Sequence, residues 1–116
     1  MKALVLEDTK SRIQYFIKRL DAYDLHLTDN AYDTINLLNK EIFNLIFLDN
    51  DLGDNDGSGI DVARFLYEHK YNKNNDALII VHSWNIPAVT TIRGLLPRAY
   101  FFPFGSKDFF NLSIDK

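Results

Sequence analysis

At 116 residues the chain suits a single domain, 1–116, with one core. Hydrophobic residues make up 47% and charged residues 25%, an ordinary globular balance. The net charge of −3 and the lack of a Lys/Arg block remove any electrostatic case for DNA binding. The absence of cysteine excludes disulfides, thiol nucleophiles and zinc–thiolate sites. No apolar run approaches the ~20 residues that span a bilayer. The N-terminus leads straight into a strand pattern, so the expectation is a cytoplasmic protein with no membrane role.

Apolar, β-prone runs alternate with stretches of helical spacing. The first run, Lys2–Leu6, ends in Glu7 and Asp8. Ile13, Phe16, Ile17 and Leu20 then repeat as on a helix, with Thr9 or Ser11 as its cap. A second strand is expected at Asp24–Thr28 and a second helix through Ile35, Leu38 and Ile42. The third strand, Leu45–Asp49, runs into Asn50 and Asp51. A polar loop follows, and its acids match no EF-hand register; it reads as a flexible lid beside the strand end or as a solvated turn. The third helix is expected from Gly59 to about Tyr71, with Val62, Ala63 and Leu66 inward. After a polar loop at Tyr71–Asp76, the fourth strand is Leu78–Ser83. Pro87 suits the first turn of a fourth helix, with Val89, Ile92 and Leu96 facing in and Pro97 stopping it. The last strand is Ala99–Phe102, the peptide before Pro103 is a candidate cis bond, and Ser106 caps a short final helix.

Strict βα alternation implies a parallel sheet with helices on both faces. Right-handed crossovers and five strands favour the order 2-1-3-4-5, a flavodoxin-like arrangement, with ligands bound where strands 1 and 3 lie side by side. That is where Glu7, Asp8, Asp49 and Asp51 would converge. Two carboxylates about 4 Å apart repel by roughly 4 kcal/mol at an effective dielectric near 20. A divalent cation is the usual remedy, and oxygen ligands favour Mg²⁺, Mn²⁺ or Ca²⁺. Read singly, an acid after a strand is solvated or caps a helix. Read together, these acids point to a metal site, with Asp49 a ligand or nucleophile.

His82-Ser83-Trp84-Asn85 follows the fourth strand. His82 is a candidate acid–base group. Ser83 and Asn85 offer hydrogen bonds to a phosphate, and Trp84 a face for a nucleobase. Because side chains alternate along a strand, His82 and Ser83 face opposite ways unless the strand has ended. The plainer alternatives are a satisfied His82 beneath a helix and Trp84 as core. The aromatics of Tyr100–Phe104 read as packing, and His26 and His69 as surface residues.

These pieces resemble the receiver domain of bacterial response regulators over nearly the whole chain. The matching segments are Val5-Leu6-Glu7-Asp8, Leu45–Asp49, Gly59-Ile60-Asp61, Ile79–Ser83 and Phe102-Pro103-Phe104. The resemblance implies that Glu7 and Asp8 hold Mg²⁺, that Asp49 accepts a phosphoryl group from a kinase or small phosphodonor, and that Ser83 is the switch hydroxyl. Receivers carry a lysine where Phe102 stands; Arg98 and Lys107 are the cations that could substitute. A second resemblance is closer. Asp49-Asn50-Asp51-Leu52-Gly53 with His82-Ser83-Trp84-Asn85 is similar to the receiver-like group predicted to process cyclic phosphates. It implies a Mg²⁺- or Mn²⁺-dependent phosphoesterase acting on a cyclic phosphate or cyclic nucleotide. Asp49, His82 and Ser83 would be catalytic, Trp84 and Asn85 would bind ligand, and Glu7, Asp8, Asp49 and Asp51 would hold the ion. A protein that sequesters such a ligand, or docks on a protein, without turnover is the third reading.

Overall fold

The computed structural model describes residues 1–69 and 73–114. Five strands, β1 (Lys2–Leu6), β2 (Asp24–Thr28), β3 (Leu45–Leu48), β4 (Leu78–Val81) and β5 (Tyr100–Phe101), alternate with five helices. The helices are α1 (Lys10–Arg19), α2 (Ala31–Lys40), α3 (Gly59–Glu68), α4 (Ile86–Leu95) and α5 (Lys107–Phe110). All strand pairs are parallel and the sheet order is β2-β1-β3-β4-β5, as the alternation predicts. Among the described residues no helix is long and apolar enough to cross a membrane.

β3 is buried along its whole length, and so is β1 after Lys2, because helices cover both faces of the sheet. Val5, Phe47 and Ile80 pack on one face against Phe16 of α1 and Phe109 of α5. Leu4, Leu6, Ile46 and Leu48 pack on the other, against Leu38 of α2 and Val62 of α3. Val81, Val89 and Ile92 hold α4. Full burial of one such side chain is worth about 1.5–3 kcal/mol.

Register decides where the chemistry falls. Leu6 pairs with Leu48, Leu48 with Val81, and Val81 with Phe101. The next residues on each chain, Glu7, Asp49, His82 and Phe102, therefore form one row across the carboxyl edge. The ladder continues into it: Asp49 N–H donates to Leu6 O at 3.2 Å, His82 N–H to Leu48 O at 3.0 Å and Phe102 N–H to Val81 O at 3.0 Å. Two residues beyond Val5, Phe47 and Ile80, this row returns to the α1–α5 face.

Several expected boundaries move. Asp49, His82, Ser83, Ala99 and Phe102 lie just outside the strands, because the chain turns into loops there. Ile42 lies past the end of α2 and is 59% exposed. Glu41 leaves the helix with extended backbone, and Phe43 fills the core instead. Ile17 is also exposed, whereas Phe16 and Leu20 are buried. Leu96 is the half-buried C-cap of α4. The predicted end of the third helix at Tyr71, and the start of the Tyr71–Asp76 loop, fall outside the described residues. Thr9 occupies the N-cap of α1 but its side chain makes no capping bond, and Ser11 lies inside the helix. Ser106 does cap α5, accepting from Phe109 N–H. No cis peptide occurs among the described residues, so the bond before Pro103 is trans. His69 is exposed as expected, but His26 is only half-exposed.

Two glycines make a paired prediction. A Cβ on Gly59, the first residue of α3, would sit 2.2 Å from the Asp49 carbonyl oxygen, whereas one on Gly94 meets nothing within 4 Å. In denaturant melts, Gly59→Ala is expected to destabilise by about 1–3 kcal/mol, the usual scale of overpacking. Gly94→Ala, in the exposed last turn of α4, is expected to stabilise by up to ~1 kcal/mol.

Candidate functional site

The row at the carboxyl edge builds the site from three strands. Glu7 and His82 are almost wholly removed from water, and His82 Nε2 stands 2.9 Å from Glu7 Oε1. A carboxylate selects the tautomer with Nε2–H, so His82 donates. The other Glu7 oxygen accepts the N–H groups of Asp8 and Thr9 at 3.1 and 3.0 Å. Asp49 is 5% exposed, and its Oδ1 accepts Asn50 N–H at 2.8 Å. Donor atoms of Glu7, Asp49 and His82 all lie within 4.8 Å of one another.

The electrostatics follow from burial. Burial pushes the Asp49 carboxyl up, and the neighbouring Glu7 carboxylate adds to this, raising its pKa from 3.8 to about 7. Burial opposes ionisation of Glu7, but the hydrogen bonds from His82 and Thr9, together with nearby positive charge that includes Arg12, outweigh it and hold Glu7 below its usual range. Burial drives His82 down, so its buried ring is neutral at neutral pH. Burial raises the Asp8 carboxyl, assisted by Glu7, Asp29 and Asp56.

A cation stands beside this row. Arg12, in the first turn of α1, places Nη1 3.9 Å from Glu7 Oε1. Its guanidinium carbon lies 5.0 Å from the centre of the Phe104 ring. Sequence reasoning missed Arg12. The available signal was a basic residue in a helix's first turn, where the dipole disfavours it and where α1 carries no acid.

The remaining candidates hold the loops. Asp51 Oδ1 accepts from Asn50 Nδ2 at 3.1 Å and from Asn85 Nδ2 at 2.9 Å. Asn85 Oδ1 meanwhile caps α4, accepting Ala88 N–H at 3.1 Å. Ser83 is buried, and its Oγ accepts Asn85 N–H at 3.0 Å. Trp84 is 57% exposed rather than core, and its Nε1–H donates to Phe104 O at 2.8 Å. Asp8 and Asp51 are exposed and lie outside the group formed by Glu7, Asp49 and His82. The loop after Asp51 is a built turn: Asp51 bridges Ser58, and Ala31 N–H donates to Asp56 O at 2.8 Å.

A family model described as the cyclic-phosphate processing receiver domain matches residues 2–98. The chain belongs to this family. No curated protein matches it. Among solved structures it is similar to a Burkholderia pseudomallei response regulator with a phosphorylated aspartic acid, calcium ion and citrate. That match has 20% identity and a TM-score of 0.72, covering 91% of this chain and 61% of the other, so the domain spans under two thirds of that protein. It is also similar to the non-phosphorylated HemR receiver domain of Leptospira biflexa, at 25% identity and TM-score 0.72, covering 94% and 87%. The phosphorylated cyanobacterial phytochrome response regulator RcpA matches at 16% identity and TM-score 0.73, covering 91% and 81%. The likenesses at 20% and 16% identity speak for the fold alone.

In this receiver domain neither suggested replacement for the lysine pairs with a site carboxylate among the described residues. Arg98 lies at the opposite edge of the sheet, where its Nη2 donates to Asn75 O, and Lys107 is exposed on α5. The donor set itself fits a divalent cation. Two buried carboxylates face each other, one with a raised pKa, and a cation would relieve the repulsion that now favours the proton.

The sign of the pH dependence follows. Between 3.8 and about 7 the folded chain keeps a proton on Asp49 that the unfolded chain has released, so rising pH works against the fold. His82 acts in the opposite sense as pH falls below its ordinary 6.5, so Asp49 is isolated only by a difference. In denaturant melts without metal, the stability advantage of Asp49→Asn over wild type should grow from pH 4 to 7, then level off. An advantage independent of pH would show that Asp49 does not hold this proton.

Proposed function

We propose that the domain binds a cyclic phosphate, such as a cyclic nucleotide, and opens its ring with the help of Mg²⁺ or Mn²⁺. The observation that carries this reading is the row of Glu7, Asp49 and His82 across the carboxyl edge of three strands. It lies beside a clasp that joins the two family motifs through Asp51 and Asn85. Glu7 and Asp49 would hold the ion, with Asp8 at the exposed rim. Such an ion supplies charge neutralisation and Lewis acidity toward a phosphate.

The chain's own residues do the rest. His82 is buried among Phe16, Phe47, Phe104 and Phe109. It therefore serves as a positioning residue for Glu7, as a histidine or carboxylate behind a metal ligand does. Ring opening adds water across one P–O bond: water loses a proton as it attacks phosphorus, and the departing oxygen gains one. Solvent carries that proton between the two oxygens, since His82 is shut off from water and Glu7 is committed to the ion. Ser83 and Asn85 act by shaping the turn into α4 and fixing Asp51, and exposed Trp84 offers its face to a base. A cytoplasmic setting accords with a nucleotide ligand.

The test is incubation with 2′,3′-cyclic and 3′,5′-cyclic nucleotides and cyclic dinucleotides plus Mg²⁺ or Mn²⁺, read by mass spectrometry. Linearised product is expected. Asp49→Asn should lower the rate by at least ~100-fold, and His82→Gln by about 10–100-fold. Unchanged hydrolysis in both variants would remove this mechanism. Recovery of tightly bound, intact nucleotide would favour sequestration.

The fold shared with phosphorylated regulators supports a second reading, a receiver phosphorylated on Asp49 by a kinase or by acetyl phosphate. A mass gain of one phosphoryl group with acetyl phosphate, lost in Asp49→Asn, would establish it. The absence of any spectral response to beryllofluoride with Mg²⁺ would count against it.

A further inference from the structure

We propose that Arg12 is the phosphate-binding residue of this site, reaching from α1 to the phosphoryl oxygens of the ligand. The inference rests on the reading that the site takes a phosphate, and it adds the group that recognises one.

Three observations carry it. First, the Arg12 guanidinium is close to the row without being consumed by it. Its Nη1 lies 3.9 Å from Glu7 Oε1, beyond hydrogen-bond distance, and among the described residues it donates no hydrogen bond. An arginine has five N–H donors in a planar fork matched to phosphate oxygens. Second, the side chain is held in place. It is 28% exposed and its guanidinium carbon sits 5.0 Å from the Phe104 ring centre. Phe104 is tied to the row, since its N–H donates to His82 O at 2.9 Å and its carbonyl accepts Trp84 Nε1–H at 2.8 Å. Third, the location suits a ligand better than the helix. α1 has no acid in its first turn and no side-chain cap at Thr9, so Arg12 adds positive charge to an end that is already electropositive.

Charge balance gives the reason. A phosphate diester entering this edge meets Glu7, Asp8 and Asp49, and repulsion from them must be offset. Arg12 is the basic side chain paired with Glu7, and its charge also bears on Asp49 and His82. The row's fourth position, Phe102, brings no charge. Lys10 shares the first turn of α1 but is exposed and pairs with no site carboxylate among the described residues, Arg98 is at the far edge of the sheet, and Lys107 is on the surface of α5.

A role in binding an anion separates from a structural one by sign. Removing a positive charge weakens phosphate binding but strengthens cation binding, whereas loosening the fold weakens both. The experiment compares wild type, Arg12→Gln, Arg12→Lys and the control Arg98→Gln. It titrates Mn²⁺ alone, then inorganic phosphate and 2′,3′-cyclic AMP with Mn²⁺ present. Calorimetry is one readout and the fluorescence of Trp84, the chain's one tryptophan, is the other. Expected is at least a tenfold loss of phosphate and cyclic AMP affinity in Arg12→Gln with equal or tighter Mn²⁺ binding. Arg12→Lys should be intermediate, because it keeps the charge and loses the fork, and Arg98→Gln should be unchanged.

Equal phosphate affinity in Arg12→Gln and wild type overturns the assignment, as does a parallel loss of Mn²⁺ and phosphate binding. If Asp49→Asn abolishes ring opening while Arg12→Gln alters neither KM nor affinity, Arg12 is excluded and the phosphoesterase reading stands. If inorganic phosphate binds through Arg12 but no cyclic phosphate binds or opens, the Arg12 assignment stands and the phosphoesterase reading falls.

Discussion

A carboxylate and an imidazole, both shut off from water, meet at 2.9 Å between β1 and β4. The carboxylate could not be buried alone: unpaired and ionised in an apolar setting it is costly enough that it would neutralise instead. The contact spans β3, which lies between those two strands, so Asp49 is caught beside Glu7. The contact helps hold the Glu7 pKa low; burial, with Glu7 beside it, raises that of Asp49, and burial drives His82 down against the pull of Glu7. The arrangement demands that β1, β3 and β4 keep their register, since a slip of one residue would turn His82 to the opposite face.

The two motifs divide labour in a way that their residue types conceal. His82 and Asp49 enter the row, whereas Ser83, Asn85, Asn50 and Asp51 spend their polar atoms on loops. Asn50 Oδ1 accepts Ile60 N–H at the start of α3, Asn85 caps α4, and Asp51 joins the two. Both loops are therefore braced by hydrogen bonds at the edge where a ligand would arrive. Preorganised loops of this kind cost little further ordering when a ligand binds.

Much of the fold was legible because periodicity reports burial. Runs such as Leu45–Leu48 and stripes such as Val62, Ala63 and Leu66 are set by the sheet and its covering helices. Ile42 misled because an apolar residue at helical spacing continues a stripe on paper even after the helix has ended. The acidic convergence was also legible, since alternation alone implies β1 beside β3. Which candidates share a face was harder. Ser83 was assigned by motif to the switch position, yet the register puts His82 in the row with Asp49, a distinction that depends on where β4 stops. Arg12 carries only a weak sequence signal, a basic residue in a first helical turn, because its relation to Glu7 depends on how α1 lies over the sheet and on Phe104, which is distant in sequence.

The position of Phe102 gives these features a common logic. At the end of β5 it extends the row, half-buried and stacked on Tyr100 with ring centres 5.7 Å apart, and it brings no charge. Positive charge is instead supplied from α1, on the β1 side of the site, by an arginine resting on Phe104. His82 then occupies the buried middle, where a long cationic side chain would face the same desolvation penalty as Glu7. A neutral imidazole avoids that penalty while still donating to Glu7. A partly exposed arginine on a helix, 3.9 Å from Glu7 Oε1, keeps its hydrogen-bond donors uncommitted among the described residues. On the reading proposed above, those donors are what a phosphate-bearing ligand would meet at the edge of the site.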